Sequence, residues 1–224
     1  WTHDKGMKTE DDALYLNLFV ASELNWKERK MVLRQQTAFP YAETSNIEVT
    51  KGKGVFTLKI RKPLWCDNFT VKGVGFVVDS YEENGFVCIK RKWKKGDQVE
   101  IFMPMHAYIK PMINVPQYVA IMYGPILLGM KSGTEDMRSL IADDSRFGQY
   151  ADGMKLPLDK APILLPKHLN DIAKDLKPIP DKPLHFKLAT HMENVINGEL
   201  QPFFEIHDSR YMMYWLALGE KDYK

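Results

Sequence analysis

The chain has 224 residues, 45% of them hydrophobic and 27% charged, a composition that fits one large or two small globular domains. Its 31 basic and 29 acidic side chains leave a net charge of +2, so no electrostatic argument points to nucleic acid or an anionic membrane as partner. No run approaches the ~20 apolar residues of a membrane-spanning helix, and 12% aromatics with 13 prolines favour strands and loops over a helical bundle.

The opening WTHDKGMKTEDD is polar and acidic, without the apolar core of a secretory signal and without an initiator methionine. The expectation is a mature or excised piece of something longer. ALYLNLF then alternates, with Leu14, Leu16 and Leu18 expected on one face and Tyr15, Asn17 and Phe19 on the other. VFTLKIRK repeats the pattern, Phe56, Leu58 and Ile60 pointing inward and Thr57, Lys59 and Arg61 outward, as in an antiparallel sheet with one wet face. NIEVT and DNFTVKG read as shorter strands. Between residues 74 and 105, turns at Asn84-Gly85 and at Lys94-Lys95-Gly96-Asp97 predict three strands in meander order. Val99, Ile101, Met103 and Met105 share one face of the last, and Pro63 and Pro104 mark strand ends or edges. YVAIMYGPILLGM, 118–130, is apolar on both faces and predicts a strand buried on both sides, bent at Gly124-Pro125.

From Lys131 to Lys182 the chain is polar and rich in turn formers. Within it, Leu169, Ile172, Ala173 and Leu176 fall at helical spacing and predict a short amphipathic helix ended by Pro178, with a weaker helical turn around EDMRSLIA. Strands resume with PLHFKLA, LQPFFEI and RYMMYWLAL. The expected fold class is all-β, mainly antiparallel. A β-sandwich or jelly-roll-like domain over 1–130 precedes a second, smaller β unit over 131–224 with irregular loops and one or two short helices. In an alternative arrangement the final strand returns to the first sheet.

Candidate chemistry is sparse. In IHDSRYMMYW, a strand sends His207, Ser209 and Tyr211 one way and Asp208, Arg210 and Met212 the other, so the HDS letters do not converge as a triad. A turn there would make Asp208 a cap and Arg210 a carboxylate partner. Either way the segment reads as scaffold. His3, His106, His168, His185 and His191 form no HxxxH or HxH pattern. The carboxylate pairs Asp11-Asp12, Glu82-Glu83 and Asp143-Asp144 fall in turns, whereas a glycosidase needs two carboxylates facing each other ~5–10 Å apart. GKG at 52–54 is followed by no helix and is not a phosphate loop. Cys66 and Cys88 read as free structural thiols, although a disulfide stays open. Without a CxxC pair or clustered ligands, an internal zinc site is not expected. Trp26, Trp65, Trp93 and Trp215, with Tyr15, Tyr41, Tyr108, Tyr118 and Tyr123, are candidates to stack on sugar rings, against the default of burial. No catalytic, cofactor-binding or metal-binding residue is assigned.

The stretch LYLNLFVASELNWKERKMVLRQQTAFPYAETSNIEV resembles a segment of glycoside hydrolase family 127, the β-L-arabinofuranosidase-type enzymes. FTLKIRKPLW, ENGFVCIKRKWKKGDQVEIFMPM, YVAIMYGPILLG and PFFEIHDSRYMMYW extend the resemblance in the family's order over nearly the whole chain. It implies an N-terminal (α/α)₆ barrel that carries the chemistry. There a zinc is held by cysteines and a glutamate, one cysteine being the nucleophile and a separate glutamate the acid/base. Those motifs belong upstream of the LYLNLF strand, where this chain has twelve residues and no cysteine. Cys66 and Cys88 lie in the β region and take no such role. The resemblance therefore implies the non-catalytic accessory β-sandwich region of such a hydrolase. It would pack on a catalytic barrel absent from the chain, hold no cofactor and be inactive alone. The alternative is an autonomous carbohydrate-binding module for arabinose-containing plant cell-wall oligosaccharides. A periplasmic or extracellular location would follow from a polysaccharide-degrading bacterial source.

Overall fold

Alternating segments become strands here because one face of each finds an apolar partner across a sandwich. The computed structural model describes residues 1–135, 160–195, 198–207 and 209–218. The described residues are all-β, in three mostly antiparallel sheets with few short helices. They divide into two compact units, Trp1–Met105 and His106–Lys224.

The first unit holds ten strands: β1 Thr2–Asp4, β2 Ala13–Leu16, β3 Ser22–Trp26, β4 Met31–Thr37, β5 Thr44–Lys51, β6 Lys53–Arg61, β7 Thr70–Val74, β8 Tyr81–Glu83, β9 Phe86–Lys94 and β10 Gln98–Phe102. One sheet has the order β1-β2-β6-β9-β8 and the other β3-β4-β5-β10-β7. Leu14, Phe56 and Leu58 of the first sheet meet Leu33, Ile47 and Val99 of the second in one core. The predicted inward residues Phe56, Leu58 and Ile60 are all buried; of those expected outward Arg61 is exposed and Lys59 half-buried, but Thr57 is buried, its N–H donating to the Asp12 carbonyl at 2.9 Å.

The meander prediction fails at its second turn. Asn84 and Gly85, both at positive φ, do close a hairpin between β8 and β9. Lys94–Asp97 instead carries the chain from one sheet to the other, since β9 is already paired on both edges, by β6 and β8. At this crossing the Asp97 carboxylate accepts the Lys94 N–H at 3.0 Å. Gly96 N–H donates to Val49 at 2.8 Å, and Val49 N–H donates to the Asp97 carbonyl at 2.9 Å, which stitches the turn to β5. Gly52, at φ +86°, makes the same change of sheet between β5 and β6.

The second unit holds β11 Ala107–Met112, β12 Val115–Tyr123, β13 Ile126–Lys131, β14 Ile163–Leu164, β15 Leu176–Pro178, β16 Phe186–Leu188, β17 Met192–Glu193, β18 Glu199–Pro202, β19 Tyr211–Met212 and β20 Trp215–Ala217. Its sheet has the order β15-β16-β18-β13-β12-β20-β14-β17, with β11 on β12 and β19 on β13. Residues 118–130 are therefore not one bent strand. Gly124, at φ +53°, reverses the chain and makes β12 and β13 an antiparallel pair. These strands pair with β18, β19 and β20, so the units separate between Met105 and His106 rather than near residue 130. The final strand pairs with β12 and β14 inside the second unit. The helix expected over 169–176 is one turn, α1 Asp171–Lys174, with Ile172 buried. Leu176 instead enters β15 and pairs with Leu188. Nearby, the Thr190 hydroxyl donates to the Asp175 carboxylate at 2.6 Å. The turn expected at EDMRSLIA lies outside the described residues except for Glu135.

Candidate functional site

The HDS segment is tied to backbone. The Ser209 hydroxyl lies within hydrogen-bond reach of the Gly133 carbonyl, at 3.0 Å, and of the Arg210 carbonyl, at 2.7 Å. Arg210 donates its Nε–H to the Glu135 carbonyl at 2.8 Å, rather than to a carboxylate in that contact. Ser132 N–H to Arg210 O and Arg210 N–H to Gly133 O complete a ladder beside the β13–β19 pair. His207 is exposed, and Asp208 lies outside the described residues. Ser209 thus has backbone carbonyls, not an imidazole, as its neighbours.

The other candidates are similarly occupied. Glu82 pairs with Lys62 at 2.7 Å and Glu83 with Lys59 at 2.5 Å. Asp11 pairs with Lys90 at 3.0 Å and Asp12 with Arg29 at 2.7 Å, while Asp143 and Asp144 lie outside the described residues. Both cysteines are free and buried, and desolvation pushes each thiol above its ordinary pKa. Such thiols are poor nucleophiles. Among the described residues, no group of three or more His, Cys, Asp or Glu side chains is placed to hold a metal ion. None of their helices is long and apolar enough to cross a membrane. Trp26, Trp93 and Trp215 are core residues and cannot offer a face to a sugar. Trp65, Tyr15, Tyr108, Tyr118 and Tyr123 are half-buried, and Tyr41 is exposed. The Lys59 ammonium already sits 5.4 Å over the Tyr15 ring.

Two features did not emerge from the sequence. Arg29 lies 20 residues or so from its partners, with no local signal. Its guanidinium bonds the Thr9 carbonyl, the Asp12 carboxylate and, at 2.5 Å, the Val55 carbonyl, and it lies 5.4 Å over the Trp26 ring. The second feature is a surface. Leu16 pairs with Ile60 and Thr44 with Phe102, while Thr70 also faces Phe102. These registers bring the loops at 17–21, 38–43 and 62–69 to one end of the first sandwich. Phe19 packs on Phe39 and Phe69 there, and Phe39 stacks on Trp65 at 6.1 Å. Above this layer Leu18 (62% exposed), Val20 (59%), Tyr41, Leu64 and Phe102 face solvent. Leu18 was expected to share a face with Leu14 and Leu16. The strand stops at Leu16, and Phe19 turns inward in its place.

In the second unit a groove of about 460 Å³ runs along β11, β12 and β13, lined mainly by Met112, Ile113, Met122, Leu127 and Tyr214, with Lys110 in its wall.

The two units coincide with two families. Residues 13–105 match the GH127 middle domain, described as β-L-arabinofuranosidase, and residues 108–217 match a domain of unknown function, DUF4986. Similar solved structures include a GH127 β-arabinofuranosidase at 22% identity and a TM-score of 0.63, which covers 93% of this chain and 35% of that one. A GH127 β-L-arabinofuranosidase from Geobacillus stearothermophilus T6 is 18% identical with a TM-score of 0.60, covering 95% of this chain and 34% of that one. A glycoside hydrolase at 20% identity and a TM-score of 0.59 covers 91% and 35%. At these identities the likeness shows the fold, and the chain spans about a third of the length of these structures. No curated protein matches the chain.

Proposed function

We propose that this chain, in which residues 13–105 match the GH127 middle domain and residues 108–217 match DUF4986, is a β-rich piece of a glycoside hydrolase family 127 protein, the non-catalytic accessory region of a β-L-arabinofuranosidase-like hydrolase. It packs against and supports a catalytic (α/α)₆ barrel that is not in the chain, and the sugar chemistry belongs to that partner. The observation that carries this reading is the pair of matches at 13–105 and 108–217, which tile both units in order. The side-chain chemistry is compatible with a supporting role: thiols are buried as thiols, paired carboxylates are held by lysine or arginine, and Ser209 faces carbonyls. A fold of this kind hosts many functions, so the experiment must read activity directly.

The test is to produce the chain alone and joined to the polypeptide encoded immediately upstream of it, and to assay both on aryl arabinofuranosides. Hydrolysis by the joined protein and none by the chain alone is expected. Turnover by the chain alone, abolished by one substitution in it, would sink the reading.

A further inference from the structure

We propose that the apolar end of the first sandwich is the surface by which the chain docks on the catalytic part of its parent hydrolase, and that the partner offers it an uncharged protein surface of aliphatic and aromatic side chains. This rests on the accessory reading above. The two ends of the sandwich differ in the chemistry of their turns. At the far end, the turns carry Lys27, Glu28, Lys30, Lys53 and Lys95, all exposed, beside the exposed aliphatic residues Val74 and Val77. At the near end Leu18, Val20, Tyr41, Leu64 and Phe102 are exposed together, and clustered apolar exposure marks an interaction site.

These side chains are presented, not frayed. Gln35 is buried, and its amide end reaches the carbonyls of Val20, at 3.0 Å, and Leu18, at 3.3 Å, and the Ser45 hydroxyl at 3.0 Å; all three are satisfied with the nitrogen assigned to the carbonyl side, where it donates to both while the oxygen accepts from Ser45. The loop that shows two aliphatic side chains to solvent is therefore pinned by its own carbonyls to the core. The neighbouring loops are fixed too: Phe39 N–H donates to the Thr37 hydroxyl at 3.0 Å, and Cys66 N–H to the Pro63 carbonyl at 3.1 Å. Two of the charged side chains at this end are engaged inside the unit, Glu43 by Met105 N–H at 2.7 Å and Lys62 by Glu82. Leu64, Leu18 and Val20, the most exposed side chains of the patch, offer a sugar neither a flat π face nor a hydrogen bond, whereas they suit the apolar centre of a protein interface. The chain spans about a third of the length of the solved GH127 structures, so the rest of such a polypeptide is the partner present at the highest effective concentration.

The experiment measures binding of the separately produced upstream polypeptide to the intact chain by calorimetry. Leu18→Asp with Leu64→Asp should weaken binding about a hundredfold, as interface-centre residues do, and the milder Val20→Ser with Leu64→Ser should weaken it in the same direction. Lys53→Asp with Lys95→Asp, at the far end, should leave it within about twofold of wild type, the usual range for residues outside an interface. Thermal unfolding checks that each variant is folded. Wild-type binding that ignores the Leu18, Val20 and Leu64 changes would overturn the docking surface and leave the accessory reading standing. No binding by the wild-type chain would overturn both. Self-association of the chain, or binding to arabinan, lost with the same leucines would reassign this end and also overturn the inference.

Discussion

At the scale of single residues, buried charge and buried thiol lead to different expectations. Arg29 and Asp12 are only 11% and 9% exposed. The Asp12 carboxylate also accepts Gly6 N–H at 3.1 Å. Arg29→Met removes the cation and leaves a buried carboxylate uncompensated, at a cost of about 3–5 kcal/mol, as for other broken buried pairs. Adding Asp12→Asn to it should restore much of the loss, and the urea midpoints of the two variants test this. Cys66 and Cys88 behave oppositely, because burial disfavours the thiolate. Their thiol pKa values are raised above 9.0 in the fold, so the unfolded chain ionises first. The stability this supplies is complete below about pH 9, the ordinary thiol pKa range, and is lost as pH climbs through the folded values. The free energy of unfolding, measured from pH 8 to 10.5, should fall more steeply for wild type than for Cys66→Ala with Cys88→Ala. Equal slopes would show that the thiols do not contribute.

At the scale of elements, glycine serves the hairpin turn at Gly85 and the sheet-changing turn at Gly52 differently. Gly85 and Gly52 both have positive φ, but a Cβ on Gly85 meets nothing within 4 Å, while one on Gly52 would lie 2.6 Å from the Lys30 carbonyl. Gly85→Ala should cost only the left-handed strain, about 1–2 kcal/mol, and Gly52→Ala distinctly more, read as the difference between their urea midpoints. Alternation at Phe56–Ile60 and Val99–Met103 identified inward faces, because period two is a local property of a half-buried strand. Whether a turn closes a hairpin or changes sheet depends on which edge is free, and Lys94–Asp97 carries no mark of that. Leu18 was misjudged for the same reason. Gln35 takes the carbonyls on either side of Phe19, and that long-range bond decides that Leu18 and Val20 point outward. The candidate surface was thus invisible to periodicity, while the family resemblance came from extended matching stretches rather than from any reactive cluster.

At the scale of the whole molecule, the decisive feature is that apolar burial is divided. One core runs from Leu14 to Met103 and the other from Val119 to Ala217, and no residue belongs to both. Each core therefore has its own enthalpy and its own exposure of apolar surface on melting, which is the condition for separate cooperative transitions. Ile47→Ala empties a site in the first core and Leu200→Ala in the second, both side chains being nearly inaccessible. Each should cost about 2–5 kcal/mol. In a unit of roughly a hundred residues that lowers the midpoint by at least several degrees, at about 4–8 °C per kcal/mol. Calorimetry on the intact chain should then show Ile47→Ala moving one transition and Leu200→Ala the other, each leaving its companion in place. A single transition displaced equally by either substitution would mean that the two cores melt as one, and that the boundary at Met105–His106 divides the architecture without dividing the folding.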